Sequence, residues 1–385
     1  MLGSMQKKQV CTRCIYDGTL GGISFDGEGV CNFCRQIDGM AELYGTGKKK
    51  GEKRLQEIIR DIKMHGEGRK YDCIIGVSGG TDSSYLLLKS KEWGLRPLAV
   101  HYDNTWNNAC ATQNIYKVTK ALNIDLMTHV INNKEADDIY RATFFAGIPE
   151  WDASSDIAFV QVLRSAAANF GIRYILEGHS FQAEGISPVS NNYFDGKYVS
   201  SVHKQYGKLP METFPNLTLF RFLKWVLLYR QQFIRPFWYT HYSKQKARRE
   251  LQSSTGWEYY GGHHLENRIA VFGHTVYMPQ KFGIDYRFLS LAADVRSGRI
   301  SRAEALEIYS RPVEADKEIV DFVKKRLALS NEDYERVMSE KPKSWRDYPT
   351  YKPYFELMRP LFYVLAKSNF VPMSFYLKYC FPAKN

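Results

Sequence analysis

Two groups of residues in this chain have the types and spacing to do chemistry. The first is the loop Ser78-Gly79-Gly80-Thr81-Asp82-Ser83, set between the apolar run 72–77 and a run with helical apolar spacing. Hydroxyls at Ser78 and Ser83, and a backbone freed by Gly79 and Gly80, suit close approach to an anion. A helix beginning here would aim unbonded N–H groups and a partial positive charge at that anion. No lysine closes the loop, so it is not the GxxxxGK[ST] phosphate loop. Asp82 would repel phosphate unless a cation stood between them; a magnesium ion bridging the two removes the conflict. The second group is Cys11, Cys14, Cys31 and Cys34, two CxxC pairs separated by sixteen residues. Each short turn aims two sulfurs at one ion, which describes a structural zinc site with no position left for substrate. Disulfides are the alternative, and the N-terminus has no apolar run of the secretory kind to favour them.

The elements that must position these groups follow from periodicity. Leu55, Ile58, Ile59 and Ile62 predict an amphipathic helix over 52–64. Strands are expected at 72–77, 97–102, 126–131 and 173–178, with helices at 82–93, 107–122, 134–145 and 156–170 between them. Strand–helix alternation of this length implies an α/β fold with a mostly parallel sheet, whose ligands bind at the carboxyl ends of the strands. Beyond residue 200 the pattern turns to helical and aromatic runs. The run 217–238 is the most apolar, but Arg221, Lys224, Arg230 and Arg235 interrupt it. It reads as a packed helix or a subunit interface, with an interfacial membrane helix as the lesser alternative and no transmembrane segment. The domain reading is a zinc ribbon at 5–47, a nucleotide-binding α/β domain at 48–200 and a mainly helical substrate- or partner-binding region at 201–385.

The loop "SGGTDS" resembles the SGGxDS loop of the PP-loop ATP pyrophosphatases, which cleave ATP between its α and β phosphates. "ILEGHSFQAEGISP" (175–188) is similar to the GHNxxTEG segment of one PP-loop branch, the N-acetyl sugar amidotransferases of surface-polysaccharide biosynthesis. "CTRC…CNFC", "DIAF" (156–159) and "MPQKFGIDYRFLSLAADVRSGRISRAEAL" (278–306) match that branch in kind and order. The resemblance implies ATP as cofactor with magnesium, and conversion of an acetamido group on a nucleotide-linked sugar to an acetamidino group. Ser78, Gly79, Gly80, Asp82 and Ser83 would then hold pyrophosphate and metal, with His101 and Asp103 near adenine and ribose. Gly178 and His179 would face the α-phosphate or the reacting amide, and Glu184 would bind metal or orient ammonia. Lys281 is expected to be catalytic and to touch the sugar diphosphate together with Asp285 and Arg287. His263, His264 and Glu266 form either a metal site or a hydrogen-bonded loop; both histidines count here as candidate substrate ligands.

A fused glutaminase would need a nucleophilic cysteine, a histidine and well over a hundred further residues. Outside the four paired cysteines only Cys73, Cys110 and Cys380 remain, all scattered. Free ammonia is therefore expected, or, by the resemblance, a separate glutaminase with an ammonia-conducting subunit similar to the histidine-biosynthesis pair. A net charge of +12 calls for anionic partners but does not choose among them. The rival is a zinc-ribbon PP-loop enzyme that modifies tRNA. Basic residues are not interleaved with aromatics in an RNA-binding motif, so no nucleic-acid partner is expected. A cytoplasmic location follows, with the inner face of the membrane as its variant.

Overall fold

The computed structural model describes residues 9–186, 193–261, 267–314, 317–368 and 370–382. The first described segment carries the two CxxC pairs, then helix α1 (Asn32–Tyr44) and the amphipathic helix α2 (Lys49–His65). α2 buries Leu55, Ile59 and Ile62 on one stripe and leaves its lysines and two arginines in solvent, the pattern that predicted it. Strand β1 (Cys73–Gly76) feeds α3 (Thr81–Glu92), β2 (Pro97–Asp103) feeds α4 (Ala109–Ala121), and β3 (Leu126–Val130) feeds α5 (Asn133–Ala146). α6 (Ala153–Asn169) then returns the chain to β4 (Tyr174–Leu176), and the short α7 (Phe181–Glu184) follows it.

The segments from α2 to β4 fall within a few residues of their predicted places, whereas α1 and α7 have no counterpart among the expected elements. Cys73, Ile74 and Ile75 of β1 are fully buried because both faces of the strand are covered, and Gly76 at its carboxyl end is partly exposed to the cavity. On one side Ile75 and Val77 pack with Leu55, Ile59 and Leu86 from α2 and α3. On the other, Ile74 and Ile175 pack with Ile157, Val162 and Leu163 of α6.

All strand pairings are parallel, and among the described residues the order is β3-β2-β1-β4-β5. From β1 the chain winds outward through β2 and β3, then crosses back to place β4 on the other flank of β1. The winding reverses between β1 and β4, and the crevice outside their carboxyl ends is where such sheets bind ligands.

After α8 (Gly196–Tyr206) the apolar run 217–238 departs from expectation. It is not one packed helix. It forms α9 (Leu219–Leu223), a π-helical turn (Lys224–Leu228) and the edge strand β5 (Gln232–Ile234), which pairs with β4 in the register Tyr174–Gln232 to Leu176–Ile234. The sheet therefore draws a strand from beyond residue 200, where the nucleotide domain had been drawn to end. α10 (Lys244–Thr255) also packs back onto α3 through Ala247 and Leu251.

The remaining described helices are α11 (Arg268–Phe272), α12 (Arg287–Arg296), α13 (Arg302–Ser310), α14 (Lys317–Arg326), α15 (Asn331–Ser339), α16 (Lys352–Leu357), α17 (Arg359–Lys367) and α18 (Met373–Tyr379). α12 and α13 bury Phe288, Leu291, Ala292 and Ala305 against Ile15, Tyr16 and Phe33 of the cysteine segment. α9 joins α16, α17 and α18 around Phe222, Val226, Phe355 and Phe362. Among the described residues no helix is long and apolar enough to cross a membrane.

Candidate active site and metal centre

A cavity of about 920 Å³ lies at the carboxyl ends of β1 and β4, near the upper end of ordinary ligand-site volumes of roughly 300–1,000 Å³. Its floor is the glycine loop. Gly79 takes φ +80°, and a Cβ there would stand 2.1 Å from the carbonyl oxygen of Ala111, so only glycine fits. Its own carbonyl accepts from Trp257 Nε1 at 2.9 Å, which fixes the turn from behind. Gly79 thus shapes the loop without lining the cavity, whereas Ser78, Gly80, Thr81, Asp82 and Ser83 line it. Ser83 Oγ accepts from the Ser78 N–H at 3.4 Å, and Ser78 Oγ accepts from the Gly80 N–H at 3.3 Å. Gly80 is the N-cap of α3 and has no side chain to cap the helix, leaving its first N–H groups for a bound anion.

Asp82 is placed by a set of partners that the sequence reading did not find. Its Oδ2 pairs with Lys244 at 3.1 Å, and its Oδ1 accepts a hydrogen bond from the hydroxyl of Tyr242. Burial raises the carboxyl of Asp82 above its usual range; the Lys244 ammonium opposes this, and the nearby Glu184 charge adds to it. Lys244 is buried, and its amine is raised because attraction to Asp82 and Glu184 outweighs desolvation. The cation that Asp82 required is thus present as an ammonium. Two carboxylates lining one cavity, Asp82 and Glu184, with phosphate oxygens to complete the shell, would also suit magnesium, which takes one or two carboxylates beside phosphates.

The end of β4 supplies the opposite wall. Gly178 allows contact with the start of α3: a Cβ there would lie 2.6 Å from the Asp82 carbonyl oxygen. His179 accepts at Nδ1 from Trp238 Nε1 at 3.1 Å, which leaves its proton on Nε2. Glu184 Oε1 accepts from the Ser180 N–H at 3.1 Å. His101 is buried, with Nδ1 2.9 Å from the Val77 carbonyl and Nε2 3.2 Å from Asn107 Nδ2; burial lowers its pKa. His101, Gly178, His179 and Glu184 all line the cavity. Arg248 lines it too, its guanidinium 3.9 Å above the ring of Tyr259. Farther out the walls become apolar, with Phe222, Phe233, Phe355 and Phe375, and the buried Arg164 faces the rings of Phe222 and Phe233 at 5.4 and 4.8 Å.

Four expected residues are not brought to this cavity. Asp103 accepts from the Thr105 N–H at 2.7 Å and closes a turn, whereas its neighbours Tyr102 and Asn104 line the site. Lys281 is buried with its ammonium on the carbonyls of Val337 and of Glu340, the latter at 2.8 Å, so it caps the end of α15. Asp285 and Arg287 pair with each other at 2.7 Å, and Arg287 also donates to the carbonyl of Arg311 at 2.6 Å. These contacts consume the charges that had been read as substrate ligands. His263 and His264, with Glu266, lie outside the described residues.

The four paired cysteines come together and are fully buried, with all four sulfurs within 4.8 Å of one another. Cys11–Cys34 and Cys14–Cys31 sulfur separations are 4.0 and 3.8 Å, with no disulfide. A tetrahedron with metal–sulfur bonds of about 2.3 Å has edges of about 3.8 Å, so the cluster fits a single zinc-sized ion. Backbone N–H groups of Arg13, Cys14 and Cys31 donate to Cys11 Sγ at 3.2–3.4 Å and hold that sulfur in place. Cys73, by contrast, is fully buried in β1 with its thiol pKa pushed up by desolvation, a poor setting for a thiolation nucleophile.

Three comparisons bear on relatives. Residues 266–361 match the family model described as "LPS biosynthesis protein WbpG-like, C-terminal domain". An uncharacterized protein of Methanocaldococcus jannaschii is 31% identical over 172 residues, which are 44% of this chain and 58% of that protein. Among solved structures, NMN synthetase from Francisella tularensis aligns over 73% of this chain and 93% of its own, at 13% identity and a TM-score of 0.32. Residues 266–361 of this chain are thus similar to the C-terminal domain of WbpG-like LPS biosynthesis proteins.

Proposed function

We propose that this chain is an ATP-dependent amidotransferase of lipopolysaccharide biosynthesis that converts an acetamido group of a nucleotide-linked sugar to an acetamidino group with ammonia, releasing AMP and pyrophosphate. The observation that carries the reading is the single cavity joining the Ser78–Ser83 loop to His179 and Glu184, with room beside the loop for a second substrate. The matched LPS-biosynthesis domain supports the substrate class.

An amide carbonyl is a weak electrophile and its oxygen a poor leaving group. ATP supplies an adenylyl group for that oxygen; pyrophosphate leaves, ammonia adds at the carbon, and AMP departs with the oxygen. The chain's own residues supply binding and charge balance. The N–H groups at the start of α3, with the hydroxyls of Ser78 and Ser83, seat the pyrophosphate portion. Asp82 and Glu184 would hold magnesium there, and Lys244 opposes the rise that burial imposes on the Asp82 carboxyl. The Nε2–H of His179 donates to the phosphoryl oxygen beside the reacting amide. Glu184 is also placed to accept a proton as ammonia adds. The four-cysteine cluster holds zinc in a structural role. Glutamine-derived ammonia would come from a separate glutaminase and conducting subunit, and the chain is placed in the cytoplasm.

The test is incubation of the purified chain with ATP, magnesium, ammonium and a panel of acetamido sugar nucleotides. The expected result is sugar-dependent formation of AMP and a product lighter by the difference between oxygen and NH. Cleavage of ATP to ADP, or no dependence on an acetamido group, removes this function.

A further inference from the structure

The small helical cluster of α9, its π-helical turn, α16, α17 and α18 has an apolar interior and also exposes large apolar side chains among its cations. Phe222, Val226, Phe355, Phe362 and Leu365 fill the inside. On the outside Phe220, Leu228 and Leu357 are 75–79% exposed, and Val364 and Leu377 are 59 and 51% exposed. Leu357, Leu361 and Val364 recur at helical spacing across the α16–α17 junction, forming an exposed stripe on the flank beside the buried Phe362 and Leu365. A helix apolar all round is not made to face water on either side.

Charge distinguishes this surface from an ordinary protein interface. Residues 217–235 and 357–382 contain no aspartate or glutamate. Arg221, Arg230 and Lys367 are exposed and Lys224 and Arg359 half-buried, whereas Arg235 pairs with Glu177 and Lys378 lines the cavity. Several of these cations lie along aromatic rings of the same cluster. Lys224 is 5.6 Å from the rings of Trp225 and Tyr229, Arg230 is 5.9 Å from Phe370, and Lys367 is 5.6 Å from Tyr363. Long cationic side chains on a bed of exposed apolar and tyrosine residues are what the boundary of an anionic bilayer favours: rings and alkyl groups enter the acyl edge while charged tips reach the headgroups. No described helix can span, so the face would lie on the bilayer. The cavity reaches the same surface, because Ser374 and Leu377 line it while being exposed.

We propose that this face docks on an anionic phospholipid bilayer and so sets the mouth of the cavity against the membrane. The inference rests on the shape and charge of the C-terminal helices and does not require the amidotransferase reading.

Flotation of the full chain with two vesicle types tests it: phosphatidylcholine alone, and phosphatidylcholine mixed with an equal mass of phosphatidylglycerol. The chain should float with the mixed vesicles at low salt and much less with the neutral ones, and added salt should weaken the binding. The variant Phe220→Ser/Leu357→Ser/Val364→Ser changes exposed side chains outside the cavity lining, so its melting temperature should stay near that of the parent while vesicle binding falls at least tenfold. The pair Lys224→Ser/Lys367→Ser should lose the preference for phosphatidylglycerol. A chain that ignores both vesicle types overturns the proposal and leaves the face to a protein partner. So does parent-like flotation of the triple variant. A stable dimer that the triple variant converts to monomer assigns the face to a second copy of the chain instead. Because vesicle binding needs neither ATP nor sugar, its failure and the failure of the enzymatic reading are read separately.

Discussion

Lys244 and Lys281 are both buried lysines, and their partners give them opposite meanings. Lys244 faces a carboxylate inside the cavity, whereas Lys281 faces backbone carbonyls outside it. Replacing Lys244 by methionine should cut ATP-dependent pyrophosphate release by about 10- to 100-fold, the worth of a charge-assisted contact of roughly 1.5–3 kcal/mol. Without that ammonium the Asp82 carboxyl rises further, so the acid limb of the rate profile should move to higher pH. An unchanged rate and limb would take Lys244 out of the site. Lys281→Met should instead leave turnover near normal in the cold and lower the melting temperature, since stranding the α15 carbonyls costs about 1–3 kcal/mol. The two variants, compared in one assay and one melting curve, separate site from scaffold. Read from sequence, both lysines are bare cations. Lys281 stood in a segment matching a family and drew the functional reading, while Lys244 stood in "SKQKARRE", which reads as the exposed start of a basic helix.

The elements from α2 to β4 were legible because each carries its own signal: an apolar run of strand length, or helical spacing closed by glycine or a polar turn. β5 has no such signal. Its three residues, Gln232–Ile234, become a strand because β4 has a free edge beside them, and that edge is not visible in a local window. The same holds for Tyr242, Lys244, Arg248 and Trp257, which reach the glycine loop only because α10 packs on α3. The junction between α5 and α6 carries a pH dependence of its own. Glu150 is buried there, accepting from the Tyr193 N–H at 3.3 Å and the Tyr198 hydroxyl at 3.0 Å, and burial lifts its carboxyl from 4.5 to about 7 despite both bonds. The folded chain therefore holds this proton more tightly than the unfolded chain. The stability from that preference is complete below about pH 4.5 and lost as pH rises through about 7. Glu150→Gln cannot titrate, so between a pH of about 5 and about 8 the parent's melting temperature should fall relative to the variant's. Parallel curves would assign the proton elsewhere.

For the whole molecule, the cysteine cluster is the tie between the beginning of the chain and its later helices. Arg302 of α13 donates to the carbonyls of Cys11 and Cys14 at 2.9 and 3.0 Å, and Arg296 of α12 approaches Cys34 Sγ at 3.9 Å. Tyr16 packs edge-on against Phe288 at 5.3 Å, and α12 in turn packs against α7, which ends at Glu184. Stripping the metal with a chelator, or replacing Cys14 by serine, should thus loosen α12 and α13 together with the ribbon and weaken activity through Glu184. Limited proteolysis read by mass spectrometry checks this: new cuts near 297–301 should appear with metal loss. Cuts confined to 9–34 would show that the ribbon is an independent appendage.

The contact between Arg302 and Cys11 spans 291 positions of sequence. During translation at about 5–20 residues per second, roughly 15–60 s separate the synthesis of its two ends. For most of that interval the thiols are outside the ribosome with neither α12 nor α13 yet made to shelter them. Early capture of an ion is what can keep them from oxidising or cross-linking while they wait, so a shortage of metal in the cell would be felt by the nascent chain before the finished one.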